Sequence, residues 1–307
     1  MVVVAVAGTG LVGKQVIQSL LASEKHTDII LSRSQKPDLG ARGAIVKIVD
    51  YSSIPSLVAA LSNSPDPVHT VISCLVAYNP SEMVQSQLNL LHAAKQAGAK
   101  RFAPSEFATT RAANEHIEFY REVKNAVWKA AEESGLEITA FTCGIFMNYL
   151  AFGSSTADAQ KELEGTENPF AFIVDIKNGK AEIPGTGKEP VAFTRWQDVG
   201  KFVAAAVELE KWEEELSMVG DIMSYDDVVG LAEEVTGKEF EVVKRPTEDL
   251  RREADLKTGM TKFYLEARLV VGLGLGSVEP RLNNLVDVQP MGLKEFITKC
   301  WKGHKQL

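Results

Sequence analysis

Apolar residues fall along this chain in two rhythms, and the order of the rhythms predicts its architecture. Val2-Val3-Val4-Ala5-Val6-Ala7 is an unbroken apolar run rich in β-branched residues, as expected of a strand buried on both faces. It stops at Gly8-Thr9-Gly10-Leu11-Val12-Gly13, and from Leu11 to Ala22 the apolar residues recur at helical spacing. Short apolar runs follow at 28–31, 44–49, 68–75, 100–103 and 136–141, separated by helical patterns at 54–61, 80–97 and 115–133. Regular alternation of strand and helix implies right-handed crossovers and a mostly parallel sheet. The second half lacks that alternation. Strands are predicted at 171–174, 190–193 and 240–243, a hairpin turn at Asn178-Gly179-Lys180, a turn at Pro184-Gly185-Thr186-Gly187, and a helix through Val235 capped by Ser224. The glycine-rich run 271–276 has no clear strand before it and no clear helix after it, so it reads as a loop.

The strand–glycine–helix start gives the first half its chemistry. Gly8 supplies a sharp turn out of the strand, Gly10 lets the main chain approach a pyrophosphate, and Gly13 lets the helix pack closely on its strand. With Thr9, Leu11 and Val12 between them, these residues present a helix N-terminus whose free N–H groups attract phosphate. The fold expected is α/β: a Rossmann-type, doubly wound parallel sheet over 1–150, with a smaller C-terminal α+β substrate domain over 151–307. At the end of the second strand, where an acidic residue would bind a ribose 2′-hydroxyl, the chain has Ser32-Arg33-Ser34-Gln35-Lys36. Arg33 and Lys36 suit a 2′-phosphate, so NADP(H) is expected in preference to NAD(H); a solvated basic loop is the alternative. Asp28 lies at the wrong end of its strand to replace the missing acid. Ser73, Cys74 and Leu75 close the fourth strand and are expected to face the cofactor, because ligands of open parallel sheets lie at the strand carboxyl ends.

Arg101-Phe102-Ala103-Pro104-Ser105-Glu106-Phe107 closely resembles the RFxPSEF segment of the isoflavone reductase-like branch of the NmrA-like family, among the atypical short-chain dehydrogenases. The resemblance takes in the glycine turn, Leu31-Ser32-Arg33, Lys124, Gly135 to Thr139 and Phe146-Met147-Asn148-Tyr149, and more weakly Trp196 to Gly200. One departure is Ala108, where the family usually has glycine. The resemblance implies a cofactor-contacting lysine at Lys124 that also acts in proton transfer. It further implies that part of 190–210 packs back on the first domain, with Asp198 structural.

Tyr120 and Lys124 are four apart on one helix and project from one face. An ammonium there can hold ribose hydroxyls and lower the pKa of the phenol, which then gives a proton to substrate oxygen. The isoflavone reductase-like group relies on the lysine without requiring that tyrosine, so Tyr120 is a conditional donor, and an ordinary amphipathic helix is its alternative reading. Ser105, Gly144 and Phe146 are placed at the cofactor, with Gly144 allowing close approach of the nicotinamide. Phe107, Phe146, Tyr149 and Phe152 form a candidate pocket wall for a flat, apolar substrate, although such clusters also serve as plain core.

Composition narrows the partners. A net charge of −8 argues against nucleic acid as the main partner, and no apolar run is long enough to cross a bilayer. The N-terminus shows no secretory signal, and Cys74, Cys143 and Cys300 lack metal-ligand spacing; a cytoplasmic protein with buried free thiols is expected. His116 aligns with Tyr120 on the predicted helix, while His26, His69, His92 and His304 are scattered, so no metal site is expected. The reading is an NADPH-dependent reductase of a small, mostly apolar, aromatic or polyketide-like molecule, with a homodimer left open. The alternative is a dinucleotide-sensing regulator that performs no hydride transfer.

Overall fold

The computed structural model describes residues 1–64, 66–166 and 170–303. Its first half alternates β1 (Val3–Ala7), α1 (Leu11–Ser23), β2 (Thr27–Ser32), α2 (Pro37–Gly40), β3 (Ile45–Ile48), α3 (Ile54–Ser62), β4 (Val68–Ser73), α4 (Pro80–Gln96), β5 (Arg101–Ala103), α5 (Glu118–Glu132) and β6 (Glu137–Ile138). These strands form one parallel sheet in the order β3-β2-β1-β4-β5-β6. The order reverses between β1 and β4, which places a crevice at the carboxyl ends of those two strands. Side chains alternate across the sheet, so Val4, Val6, Ile30 and Ile72 bury one face against α1, while Ala5, Ile29, Val71 and Phe102 bury the other against α3 and α4. Ser53 and Asn79 cap α3 and α4 by accepting from Ser56 and Glu82 N–H groups.

The second half contributes β7 (Ile145–Phe146), α6 (Ala157–Glu162), β8 (Val174–Asp175), β9 (Lys180–Pro184), β10 (Val191–Thr194), α7 (Trp196–Ala206), β11 (Asp221–Met223), α8 (Tyr225–Thr236), β12 (Glu241–Arg245), α9 (Thr247–Asp255), α10 (Gly259–Gly272) and α11 (Leu293–Trp301). Two three-stranded sheets, β11-β10-β7 and β12-β9-β8, surround a second core that includes Phe172, Phe193, Tyr225, Phe296 and Trp301. Ser224 caps α8 reciprocally with Asp227, and β8 and β9 pair antiparallel across Asn178-Gly179. Helix α7 returns to the first half and lies on α1: a Cβ at Gly200 would stand 2.3 Å from the Gln15 carbonyl oxygen, so glycine sets that close approach. Asp198 is structural, since its buried carboxylate accepts from Met291 N–H at 3.0 Å and from Lys201 Nζ at 2.7 Å.

Several boundaries differ from the sequence reading. The predicted helix 115–133 begins only at Glu118, after a tight 3-10 segment, Arg111–His116, which leaves His116 exposed and off the helix. The expected strand 171–174 shrinks to Val174–Asp175. The run 271–276 starts inside α10, whose last residue is Gly272; a Cβ there would lie 3.0 Å from Gly185 N, so the run packs on the second domain. His304 lies outside the described residues. No helix of the described residues is long and apolar enough to cross a membrane.

Candidate cofactor and substrate site

The glycine turn is built by sterics. Gly8 has φ +101°, and a Cβ on it would sit 2.6 Å from the Cys74 carbonyl oxygen. A Cβ on Gly13 would sit 2.2 Å from Gly8 O. Both glycines are therefore required by the protein itself. Gly10 is different: its φ of −72° suits any residue, it is exposed, and nothing lies within 4 Å of its Cβ position. It precedes α1, whose N-terminus has no side-chain cap and no acidic residue in its first turn. Thr9, Leu11 and Val12 are half-buried around this open helix end. Pairing of Ala7 with Leu31 brings the end of β2 alongside, with Arg33 exposed and Lys36 half-buried beyond it. Open space at Gly10, an uncapped helix N-terminus and two cations near an absent acid fit a phosphorylated dinucleotide.

The neighbouring strand ends are more internally committed than the sequence suggested. Ser73 is fully buried and its hydroxyl donates to Gln87 Oε1 at 3.0 Å, so it faces α4 and not the cofactor crevice. The same Gln87 oxygen accepts the Ser105 N–H at 2.8 Å, tying the ends of β4 and β5 together; nothing in the sequence marked Gln87. Burial pushes the Cys74 thiol up to about 12, which makes it a neutral packing group beneath the turn, with Leu75 half-buried after it.

Beyond β5 and β6 lies an apolar cavity with about 610 Å³ of space free of protein atoms, part of it open to solvent. Phe107, Phe146 and Tyr149 line it, as expected, together with Tyr120 and Gly144. Phe152 falls outside the lining, because the 3-10 turn Met147–Ala151 carries the chain past the cavity before reaching it. In its place the second half supplies Phe170, Phe172, Phe263 and Tyr264. Ring centroids stand 4.8 Å apart for Phe170–Tyr264 and 5.2 Å apart for Tyr120–Phe263. Gly144 also has a reason other than the one inferred for it: at φ +67° its Cβ position is 2.2 Å from Ala192 O, so the glycine admits β10. At Ala108, the departure from the family pattern, the carbonyl accepts from Cys143 and Gly144 N–H groups at 2.8 and 3.1 Å.

Lys124 is buried beside this cavity. Its Nζ donates to Glu106 O at 2.7 Å, stands 3.5 Å from Glu106 Oε2, and lies 3.9 Å from the Tyr120 ring centroid. Burial lowers its pKa, and Glu106 opposes that shift. The ammonium meets the face of Tyr120, not its hydroxyl. Desolvation, with Tyr149 and Glu106 adding to it, holds the Tyr120 phenol above its ordinary pKa. This corrects the expectation of a phenol acidified by the lysine: Tyr120 can serve as a neutral O–H donor, not as a phenolate. Cys143, near Lys124, is likewise pushed up to about 12 by burial. All three cysteines are buried and free, and among the described residues no group of three His, Cys, Asp or Glu could hold a metal ion.

A model of the NmrA-like family matches residues 1–274. Oxidoreductase BOA1 of Botryotinia fuckeliana is 34% identical over 248 residues, covering 78% of this chain and 78% of that protein. The bifunctional pinoresinol-lariciresinol reductase 2 of Linum usitatissimum is 25% identical over 290 residues, covering 85% and 81%. Among solved structures, AtPrR2 with NADP+ and (+)pinoresinol matches with a TM-score of 0.77 at 22% identity over 97% of each chain. The leucoanthocyanidin reductase–NADPH complex from Vitis vinifera gives 0.75 at 19% identity, covering 97% and 98%. At these identities the structural matches establish a shared fold.

Proposed function

This chain belongs to the NmrA-like family, and from that membership we propose that it is an NADPH-dependent reductase of a small, neutral, mostly apolar molecule, aromatic or polyketide-like. One observation carries the reading. The glycine turn with its open Gly10, and the aromatic cavity after β5 and β6, lie at the same carboxyl edge of one parallel sheet. Relatives named as oxidoreductases and reductases, and fold neighbours holding NADP+ or NADPH, support it.

In this reading residues 1–150 hold the dinucleotide. Gly8 to Gly13 and the α1 N-terminus receive the pyrophosphate, and Arg33 and Lys36 receive the 2′-phosphate. NADPH, when bound, supplies a hydride. Residues 151–307 act as the substrate domain: Phe170, Phe172, Phe263 and Tyr264 join Phe107, Phe146 and Tyr149 in excluding water from the reacting bond. Lys124 places a cation against the ring of Tyr120, which lines the cavity, and low dielectric there strengthens its stabilisation of charge growing on a substrate oxygen. Tyr120, neutral through burial, offers an O–H to that oxygen.

A second reading has its own observation. Lys124 is engaged by Glu106 and by the Tyr120 ring, as would suit a dinucleotide-binding regulator that performs no chemistry. NADPH consumption across neutral aromatic enones, quinones, aldehydes and ketones, run beside NADPH and NADP+ binding titrations, separates the two. The reductase consumes NADPH with at least one class; a regulator discriminates the two cofactor forms and consumes none.

A further inference from the structure

The reductase reading gives Lys124 a task and leaves Glu106 without one. Glu106 is 1% exposed, and a carboxylate so deep costs several kcal/mol unless it is paired. Its Oε2 stands 3.5 Å from Lys124 Nζ and accepts from Asn114 Nδ2 at 3.4 Å. Its main-chain oxygen accepts from the same lysine at 2.7 Å. Asn114, also 1% exposed, sits on the 3-10 segment before α5, and its Oδ1 has no partner, so the hydrogen bond its Nδ2 donates to Glu106 is what ties this side chain to the site. One residue thus grips the lysine through both backbone and side chain.

We propose that Glu106 is the positioning residue of the site: its carbonyl and carboxylate together hold the Lys124 ammonium against the Tyr120 ring, and Asn114 steadies the carboxylate. The role assigned to the held lysine rests on the reductase reading; the grip itself does not. The groups facing Lys124 are Glu106 from the segment after β5, the Cys143 thiol from the segment after β6, and the Tyr120 ring from its own helix. Burial keeps both Cys143 and Tyr120 protonated, so Glu106 is the group that compensates the buried cation. Without its carboxylate, burial is opposed less and the ammonium gives up its proton more readily.

The test is a lysine Nζ NMR titration of the full-length, cofactor-free protein, with the Lys124 signal assigned by its loss in Lys124→Met. In Glu106→Gln the Lys124 signal titrates at least about one pH unit lower than in wild type, a tenfold loss of proton affinity. Glu106→Asp, which keeps the charge but withdraws it by one methylene, titrates between the two and serves alone if the Gln variant fails to fold. In turnover assays the alkaline limb of kcat/KM moves in the same direction. An unchanged Lys124 titration in either variant overturns the positioning role. A wild type that consumes no NADPH but shows the titration shift overturns the reductase reading and leaves the positioning role standing.

Discussion

Gly10 and Gly13 stand three residues apart in one turn, yet substituting each with alanine should have opposite consequences. At Gly13 the new methyl carbon would be 2.2 Å from Gly8 O and 3.2 Å from Cys74 Cβ, and the closer of these atoms is backbone. Forcing a methyl into a packed site costs about 1–3 kcal/mol, occasionally more, and the better helix propensity of alanine returns about 1 kcal/mol. With a backbone oxygen at 2.2 Å, the upper end applies and a net loss of about 2 kcal/mol is expected. At Gly10 the methyl meets nothing within 4 Å, and the only internal cost is alanine's weakness as an N-cap, up to about 1 kcal/mol. The space that methyl enters is where a pyrophosphate would approach the main chain. Thermal unfolding without cofactor, combined with NADPH fluorescence titration, reads both quantities. Gly10→Ala should melt within a few degrees of wild type and bind NADPH at least tenfold more weakly, about 1.4 kcal/mol. Wild-type NADPH affinity in Gly10→Ala, or a loss of stability matching that of Gly13→Ala, would refute the reasoning.

Replacing both Arg33 and Lys36 with alanine should lower the NADPH-to-NADH affinity ratio at least about tenfold, since each removes a cation near the 2′-phosphate; an unchanged ratio in paired titrations returns these residues to a solvated loop. Glu162 is 1% exposed and accepts from Arg195 Nε and Nη2 at 2.7 Å, Lys299 Nζ at 2.8 Å and Asn148 Nδ2 at 3.2 Å. Glu162→Ala strands these donors and should cost about 3–5 kcal/mol in urea unfolding. Burial pushes the Glu162 carboxyl up, but Arg195 and Lys299 outweigh it and hold the pKa below 4.5. Its stabilisation is therefore complete above pH 4.5 and lost as the pH falls further, so the wild-type and variant unfolding midpoints should converge in acid. Asp28 is the reverse case: buried, with Oδ1 unpartnered, its carboxyl is raised by desolvation from 3.8 to about 6. A folded pKa above the unfolded one stabilises at low pH and loses that contribution as pH rises from 3.8 through 6. Asp28→Asn should then be more stable than wild type at pH 7.5 by at most about 3 kcal/mol, from about two pH units at 1.36 kcal/mol each, and equal to it near pH 4.

Much of this was legible because local chemistry and global fold agree in the first half. An apolar β-branched run ending in Gly8 leaves little choice but a buried strand and a turn, and the order of strands and helices carried the sheet topology with it. Lys124 and Tyr120 were paired by helical spacing, which fixes a shared face but not whether the ammonium meets a ring or a hydroxyl. The cavity was half visible. Phe107, Phe146 and Tyr149 follow the last strands of the first domain, whereas Phe170, Phe172, Phe263 and Tyr264 reach it by tertiary folding that periodicity does not encode. Gly144 shows that a glycine placed where a ligand would approach can also be required by a neighbouring strand, at Ala192 in this case. Gln87 carried no signal, and Glu106 was marked only as part of the RFxPSEF-like segment and not by its role, since both roles exist only once β4, β5 and α5 are packed together.

Lys124 is central to the proposed chemistry, and one comparison tests its role directly: NADPH binding and NADPH consumption measured side by side for wild type and Lys124→Met, with a substrate on which wild type turns over. The variant should fold, bind NADPH within a few-fold of wild type through the untouched glycine turn, and lose at least about a hundredfold in kcat. A variant that binds NADPH and turns over at the wild-type rate would contradict that role.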